Sequence, residues 1–542
     1  MSEHLVPGTV LQVDIYNNLR GVQHNDRRKD IVLVPQPTSH PDDPLNWTKY
    51  RKWSSISGYV VYTFLVAVMV SSLSPANLMI EAETGIAVAD INTGVGLMYL
   101  FLGWSNLIWQ PLAIDFGRRP VLVVSTLMLT FMVLWSAYAS NVGEWWINRI
   151  LQGVGGAPIE TLVELCVADV NFAHERGFHM SLYTWTLFNG AFLGPIAAGF
   201  VANRFGWQWI QYICTIIGAV TTIYLFFFME ETMFHRTDTV EAAMAENFIQ
   251  TVSSDAEVKG ANVKEEAPST SPAASAMVSV DRDIQPKSYM QRLKCWNLRD
   301  PQQPKRFWNN LMLSLTLIRF PAIFYSGLLI GSILSWFNVV NGTLPTILGN
   351  APYNFSADML GVIYVSPVIG VSFGCYFSGW ISDKVAVYMA RRNNGVYEPE
   401  HRLWVGLIPL VLHPVGCILY GVGASHEVHW VGVAFGLGII CATLPMGSAV
   451  ACNYIIDSYK EVAGNGLVTI ILVRNTMGFA FAYAVLPMVT DMGIQNAFIL
   501  LAFLGAAIWA GCIVMIIWGK KFRKATAATY WKMVEEQGLK AH

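Results

Sequence analysis

Arg149, Glu160 and Glu164 sit in one long apolar stretch, where ionisable side chains are rare and need a purpose. Eleven residues separate Arg149 from Glu160, which at helical spacing brings the two to within about 20° on one face, roughly 16 Å apart along the axis. Glu164 follows one turn later. A charge at mid-bilayer costs about 2.5 kcal/mol or far more, so these groups should face a bundle interior or a wet cavity. A carboxylate there can carry a proton, because burial disfavours its charge and a nearby cation restores it. Glu164, nearer the end of the stretch, can also be read as a solvated group or one that ties down a helix end.

A second set lies in the C-terminal half: Asn338 and Asn341, then Asn453, Tyr454 and Asp457, then Arg474 and Asn475. Arg474 lies too deep in its apolar run to be idle. It can serve as a counter-charge for a substrate, or pair with Asp457 across two neighbouring helices as a structural clamp, and the clamp is the expected arrangement. Asparagines in such runs act more often as hydrogen-bonding glue between helices than as ligands. With Gln152, Asn189 and the aromatic residues Tyr183, Trp185, Tyr325, Trp336 and Tyr483 they make up the candidate lining of a cavity. Such a wide, aromatic, weakly charged site suits amphipathic organic molecules.

Only a membrane can position these residues. Apolar residues make up 54% of the 542 positions and charged residues 13%, so the apolar surface cannot all be hidden from water. Twelve runs reach membrane-spanning length, predicted near 54–79, 92–112, 120–140, 145–168, 179–202, 207–229, 320–347, 359–379, 404–422, 430–453, 466–489 and 496–518. They divide the chain into an N-terminal tail (1–53), a six-helix bundle (54–230), a linker (231–319), a second bundle (320–518) and a C-terminal tail (519–542). The linker is rich in Ala, Ser, Glu, Lys and Pro and should be mostly disordered. Of 35 Lys and Arg, three (Arg149, Arg319, Arg474) fall in or at the edge of spans and one (Arg204) on the far side. The other 31 share the side of the two termini. That bias predicts cytosolic termini. It also puts the sequon at Asn354 outside, where it can be glycosylated, and the one at Asn46 inside. None of the eight cysteines forms an exposed oxidising pair, so no disulfide is expected. No cleavable leader is expected in the tail, and span 1 is expected to be the targeting signal.

Six spans, a linker and six spans is the layout of a transporter built from two similar bundles around a central site. A faint internal echo supports it: Gly117, Arg118 and Arg119 close the turn after span 2, and Gly379 and Asp383 hold the matching place after span 8. Span 5 carries Gly190, Gly194, Pro195 and Gly199, a stripe that can bend or pack closely against a neighbour.

Two of these stretches resemble motifs of the major facilitator superfamily, specifically the fungal twelve-span drug:proton antiporter group. Arg149-Ile150-Leu151-Gln152-Gly153-Val154-Gly155 resembles that group's Arg-x-x-Gln-Gly-x-Gly motif, in which the Arg is associated with proton coupling. Gly190 to Gly199 resembles its Gly-x-x-x-Gly-Pro-x-x-Gly-Gly antiporter motif, with Ala198 at the first of the last two glycines. Asp43 to Trp47, Glu231-Thr232 and Ala390 to Leu403 are further family-like stretches. The resemblance implies an all-α membrane protein of the major facilitator fold, working as a monomer in the plasma or vacuolar membrane. It implies proton-coupled export of a small organic compound, a drug, toxin or secondary metabolite, by alternating access. Protonation of Glu160, sensed by Arg149, would bias the outward-open state. One departure stands out: Gln110 and Ile114 replace the Gly and Asp expected between spans 2 and 3, so the latch there must be weaker or rearranged, through Asp115 with Arg118 or Arg119. The same departure points to the alternative, an uptake permease or facilitator for a polyamine, organic cation or other nutrient. The expected partners are a small organic substrate, protons and membrane lipid. No phosphate-binding Gly-rich loop, metal cluster or nucleophile constellation is present in the sequence. No cofactor, metal, nucleic acid or enzymatic role is therefore expected.

Overall fold

In the computed structural model, residues 6–11, 43–233, 307–349, 351–355, 357–393 and 396–536 are described. Among them twelve helices are long and apolar enough to cross a membrane. Spans 1 to 6 run Lys49–Ala76, Val88–Phe116, Arg118–Ser136, Val142–Val170, Phe178–Phe205 and Trp207–Phe228. Spans 7 to 12 run Pro321–Leu344, Met359–Arg392, Pro399–Ser425, Trp430–Ser458, Lys460–Val485 and Pro487–Glu536. Several helices outrun the apolar stretches that announce them. Span 1 opens on Lys49, Arg51 and Lys52, and span 12 continues through Lys520 to Glu536. Hydropathy marks the part that lipid covers, whereas backbone hydrogen bonding carries a helix on into polar sequence.

The two halves repeat one packing plan. Span 1 lies on span 5, span 2 on span 4 and span 3 on span 6. The second half pairs span 7 with 11, 8 with 10 and 9 with 12. Between the halves, span 2 meets span 11 and span 5 meets span 8, two contacts that exchange when the halves are swapped. That is the signature of a two-fold axis along the membrane normal. Gly190 and Gly194 serve the first pairing. A Cβ on Gly190 would stand 2.7 Å from the Phe64 carbonyl, and one on Gly194 3.2 Å from Val68 Cα, so these glycines let span 5 close on span 1. Gly199 has nothing within 4 Å of that position, and the helix Ala173–Phe205 runs unbroken through Pro195.

Two features lie outside the spans. A helix, Phe307–Thr316, precedes span 7 within the segment expected to be mostly disordered; residues 234–306 of that segment lie outside the described residues. Strand Val10–Leu11 pairs antiparallel with Val396–Tyr397, and Arg523 of the last helix donates to the Pro7 carbonyl. Residues 6–11 are thereby laid against the second half.

Candidate functional site

Span 4 is two helices, Val142–Gly156 and Pro158–Val170, and the break has a local cause. Pro158 has no N–H to give the Val154 carbonyl one turn back. Trp109 of span 2 supplies the missing donor, its indole Nε1 lying 2.8 Å from Val154 O. Glu160 thus occupies the first turn of the second segment, where the free N–H groups of a helix start favour negative charge.

From there Glu160 reaches across to the other half. Its Oε1 lies 2.7 Å from Arg474 Nη1, and its Oε2 accepts from Asn475 Nδ2 at 2.6 Å. The carboxylate is 3% exposed, so both of its oxygens are engaged by span 11 within the protein interior. The pair forms one wall of a cavity of about 60 Å³ between the halves, lined otherwise by Ser71, Tyr99, Phe188, Phe337 and aliphatic neighbours. Organic ligands occupy sites of roughly 300–1,000 Å³, so loading one requires the halves to part.

The expected Arg474–Asp457 clamp is overturned, and Arg149 lies apart from Glu160 as their spacing predicts. Arg149 does not meet Glu160: its Nη1 donates to Gln152 Oε1 at 3.0 Å, and its guanidinium lies 4.6 Å from the centre of the Trp145 ring. Gln152 in turn donates to Asn148 Oδ1 at 2.7 Å, and Asn148 to the Met132 carbonyl of span 3 at 2.8 Å, so the network stays within the first half. The break at Pro158 and the 16 Å expected along the axis keep the two charges apart. Nor does Arg474 pair with Asp457. Asp457 lies near the end of span 10, where it takes Arg402 Nε at 3.0 Å and the Tyr397 hydroxyl at 2.6 Å. Burial, reinforced by the Asp457 carboxylate, pushes the Tyr397 phenol well above its ordinary range and keeps it a donor.

The expected lining is mostly packing. Arg474 lines the cavity and Asn475 supports it, but Tyr183 donates to the Ile159 carbonyl at 2.9 Å and Asn189 to the Trp185 carbonyl at 2.8 Å. Trp185 is partly exposed and bridges spans 5 and 8, its Nε1 2.9 Å from Ser372 Oγ. Tyr325 is bonded to span 12 through the Ile508 carbonyl, and Trp336 stacks near His413. Asn338 donates to the Gly478 carbonyl at 3.0 Å, Asn341 accepts from Tyr364, and Asn453 is buried in span 10. Tyr483 is 70% exposed and is not among the residues lining the cavity. Sequence reasoning missed Tyr99, Phe188 and Phe337, which carry no signal distinguishing a cavity wall from core.

Glu164 lies one turn beyond Glu160 and accepts from Cys452 Sγ of span 10 at 3.4 Å. At the turn after span 2, Gly117 has φ +98°, and a Cβ there would stand 2.5 Å from Glu231 Oε2. The Glu231 carboxylate instead accepts from the backbone N–H groups of Arg118 (3.0 Å) and Arg119 (3.1 Å), capping the start of span 3. Arg118 pairs with Asp169, and the Arg119 guanidinium donates to the Phe226 carbonyl. The rearranged latch therefore runs through Glu231 and Asp169 and leaves Asp115 aside. Gly379 is buried in the wide turn Phe377–Ile381, while the side chain of Asp383 lies outside the described residues. Asn354 is exposed between spans 7 and 8; Ser356 of its sequon lies outside the described residues.

Residues 59–464 match the Major Facilitator Superfamily profile. The chain is 28% identical to the Uncharacterized MFS-type transporter C1271.10c of Schizosaccharomyces pombe, over 97% of this chain and 94% of that one. It is 23% identical to the Efflux pump radE of Floropilus chiversii, over 96% and 90%. Among solved structures it is similar to the proton:xylose symporter XylE bound to 6-bromo-6-deoxy-D-glucose. That likeness has a TM-score of 0.56 at 12% identity, covers 86% of this chain and 96% of that one, and speaks for the fold alone.

Proposed function

The chain belongs to the Major Facilitator Superfamily, and from that premise we propose that it is a proton-coupled exporter of a small organic compound. It is a transporter and not an enzyme. One observation carries the proposal: the Glu160–Arg474 pair joins the two halves at the wall of the cavity between them. Protonating Glu160 cancels the charge that Arg474 answers and weakens the Asn475 contact, which unties span 4 from span 11. Proton binding and movement of the halves then become one event. Arg474, rather than Arg149, is the cation that senses it. The name of the efflux pump radE favours export as the direction.

The apolar walls, with Tyr99, Phe188 and Phe337, suit an amphipathic substrate held by contact and stacking. Both termini are proposed to be cytosolic, in the plasma membrane, on the strength of the 31 basic residues that share their side. A protein working as a monomer is consistent with one pathway between the two halves of one chain. Glycosylation at Asn354 would report the orientation, as a mobility shift on endoglycosidase treatment that Asn354→Gln abolishes.

The test is transport by purified protein in liposomes under an imposed pH gradient, with fluorescent amphipathic dyes and radiolabelled spermidine as probes. Movement opposite to the proton, lost in Glu160→Gln, is the expected result. Movement with the proton, or movement indifferent to pH and to the substitution, would overturn proton-coupled export and bring forward uptake or facilitated diffusion.

A further inference from the structure

Along the contact between the halves, from the cavity onward, four buried polar atoms have no hydrogen-bond partner among the described residues. They are Arg474 Nε, Asn475 Oδ1, Glu164 Oε2 and Gln110 Oε1. Buried polar atoms almost always have partners, so a file of exceptions calls for an explanation. These four are ordered. Arg474 and Asn475 hold Glu160 at the cavity, and Glu164 lies one turn, about 6 Å, nearer the face that carries both chain ends. Gln110 of span 2 sits against the start of span 11: a Cβ on Gly464 would stand 2.7 Å from Gln110 Nε2 and 3.6 Å from Leu165, the neighbour of Glu164. Other polar groups border the same seam, with Thr161 of span 4 donating to Asn106 Oδ1 of span 2 at 2.7 Å.

Glu164 itself is 4% exposed. The titratable groups facing it are Cys452 from span 10, Tyr183 from span 5, Arg474 from span 11 and Glu160 on its own helix. Arg474 is committed to Glu160 and the Tyr183 hydroxyl to the Ile159 carbonyl, and among the described residues no cation lies within ion-pair distance of Glu164. One oxygen takes the Cys452 thiol; the other is free to exchange a proton with water, which polar buried sites of this kind bind.

We propose that Glu164 is a second proton-carrying group, linking Glu160 to the chain-end face through a hydrated seam that passes Gln110. This rests on the reading that Glu160 takes up the transported proton. The proton leaves the Glu160 carboxyl, which pairs again with Arg474, and joins the Glu164 carboxylate. Glu164 then releases it along the seam. One proton moves and no electron does. The competing role is mechanical: Glu164 as a fixed acceptor that lets Cys452 tie span 10 to span 4.

Infrared difference spectra of the full chain in nanodiscs, titrated with pH in H2O and in D2O, separate the two and need no substrate. The expected wild-type spectrum contains a protonated-carboxyl band that appears over the titration and shifts promptly in D2O. Glu164→Gln removes that band, Cys452→Ala keeps it at a shifted frequency, and Glu160→Gln moves its midpoint. A titration unchanged by Glu164→Gln, or a Glu164 band that does not respond to D2O, would overturn the proposal and leave the mechanical tie. Spectra that change in Glu164→Gln but not in Glu160→Gln would remove Glu160 from the proton route and keep Glu164 in it, so the two readings fail separately.

Discussion

Arg149 and Arg474 both lie within the apolar stretches of their spans, and their partners set them apart. Arg149 is answered within its own helix, by Gln152 and the face of Trp145. Arg474 is answered from the other half of the molecule, by Glu160. A network inside one half travels with that half and survives a rearrangement of the two. A pair that spans the halves is remade or lost in each one. The difference teaches where coupling can reside: a buried charge controls a rigid-body motion only if its partner lies on the other body.

The sharpest way to break this contrast is Arg474→Gln, which strands the buried Glu160 carboxylate. Thermal unfolding in detergent should show a loss of about 3–5 kcal/mol, most of it recovered in the Glu160→Gln, Arg474→Gln double variant. No recovery would mean that the two residues do not act as a pair. Arg149→Gln, by contrast, removes a hydrogen bond and a ring contact and should cost about 1.5–3 kcal/mol. The pH profile of transport should keep its midpoint in that variant; a displaced midpoint would return Arg149 to the coupling machinery.

The sign of a substrate's charge sharpens the comparison further. A cationic probe competes with the proton for Glu160 and should move opposite to it. A carboxylate probe competes with Glu160 for Arg474, does not displace the proton, and should be exchanged for it only weakly. Liposome assays with spermidine and with a fluorescent carboxylate compare the two directly, and equal coupling of both would show that the pair does not choose. At the level of packing, Gly190→Val should cost about 1–3 kcal/mol, because the new side chain meets the backbone of span 1. Gly199→Val, with open space before it, should leave the melting temperature nearly unchanged. The smallest effect belongs to Tyr483→Ala, on the exposed surface, which should change stability by no more than about 0.5 kcal/mol and leave transport intact.

Glu160 was legible because a charge in an apolar run stands out residue by residue. Its partners were not, since Asn475 lies 315 positions away and nothing local to either residue points to the other. The restart of span 4 could have been read from Pro158, although the donor that makes it tolerable, Trp109, could not. Asp457 was misassigned for a related reason: it is close to Arg474 in the order of spans but lies near the end of span 10, within reach of Arg402. The aromatic candidates failed differently. Tyr183 and Trp336 are buried and Tyr325 half-buried as packing, whereas Phe188 and Phe337, which line the cavity, look in sequence like any other core residue.

By itself the sequence determined the solvent, the number of spans, the division into two sixes and the identity of the charges that lipid cannot accommodate. Each is a sum of local transfer free energies, which accumulate along the chain whatever the spans do next. Only the tertiary structure decided which buried charge answers which. That choice depends on how glycine stripes let helices approach and how two similar halves face one another, and chain order does not encode distances across that interface.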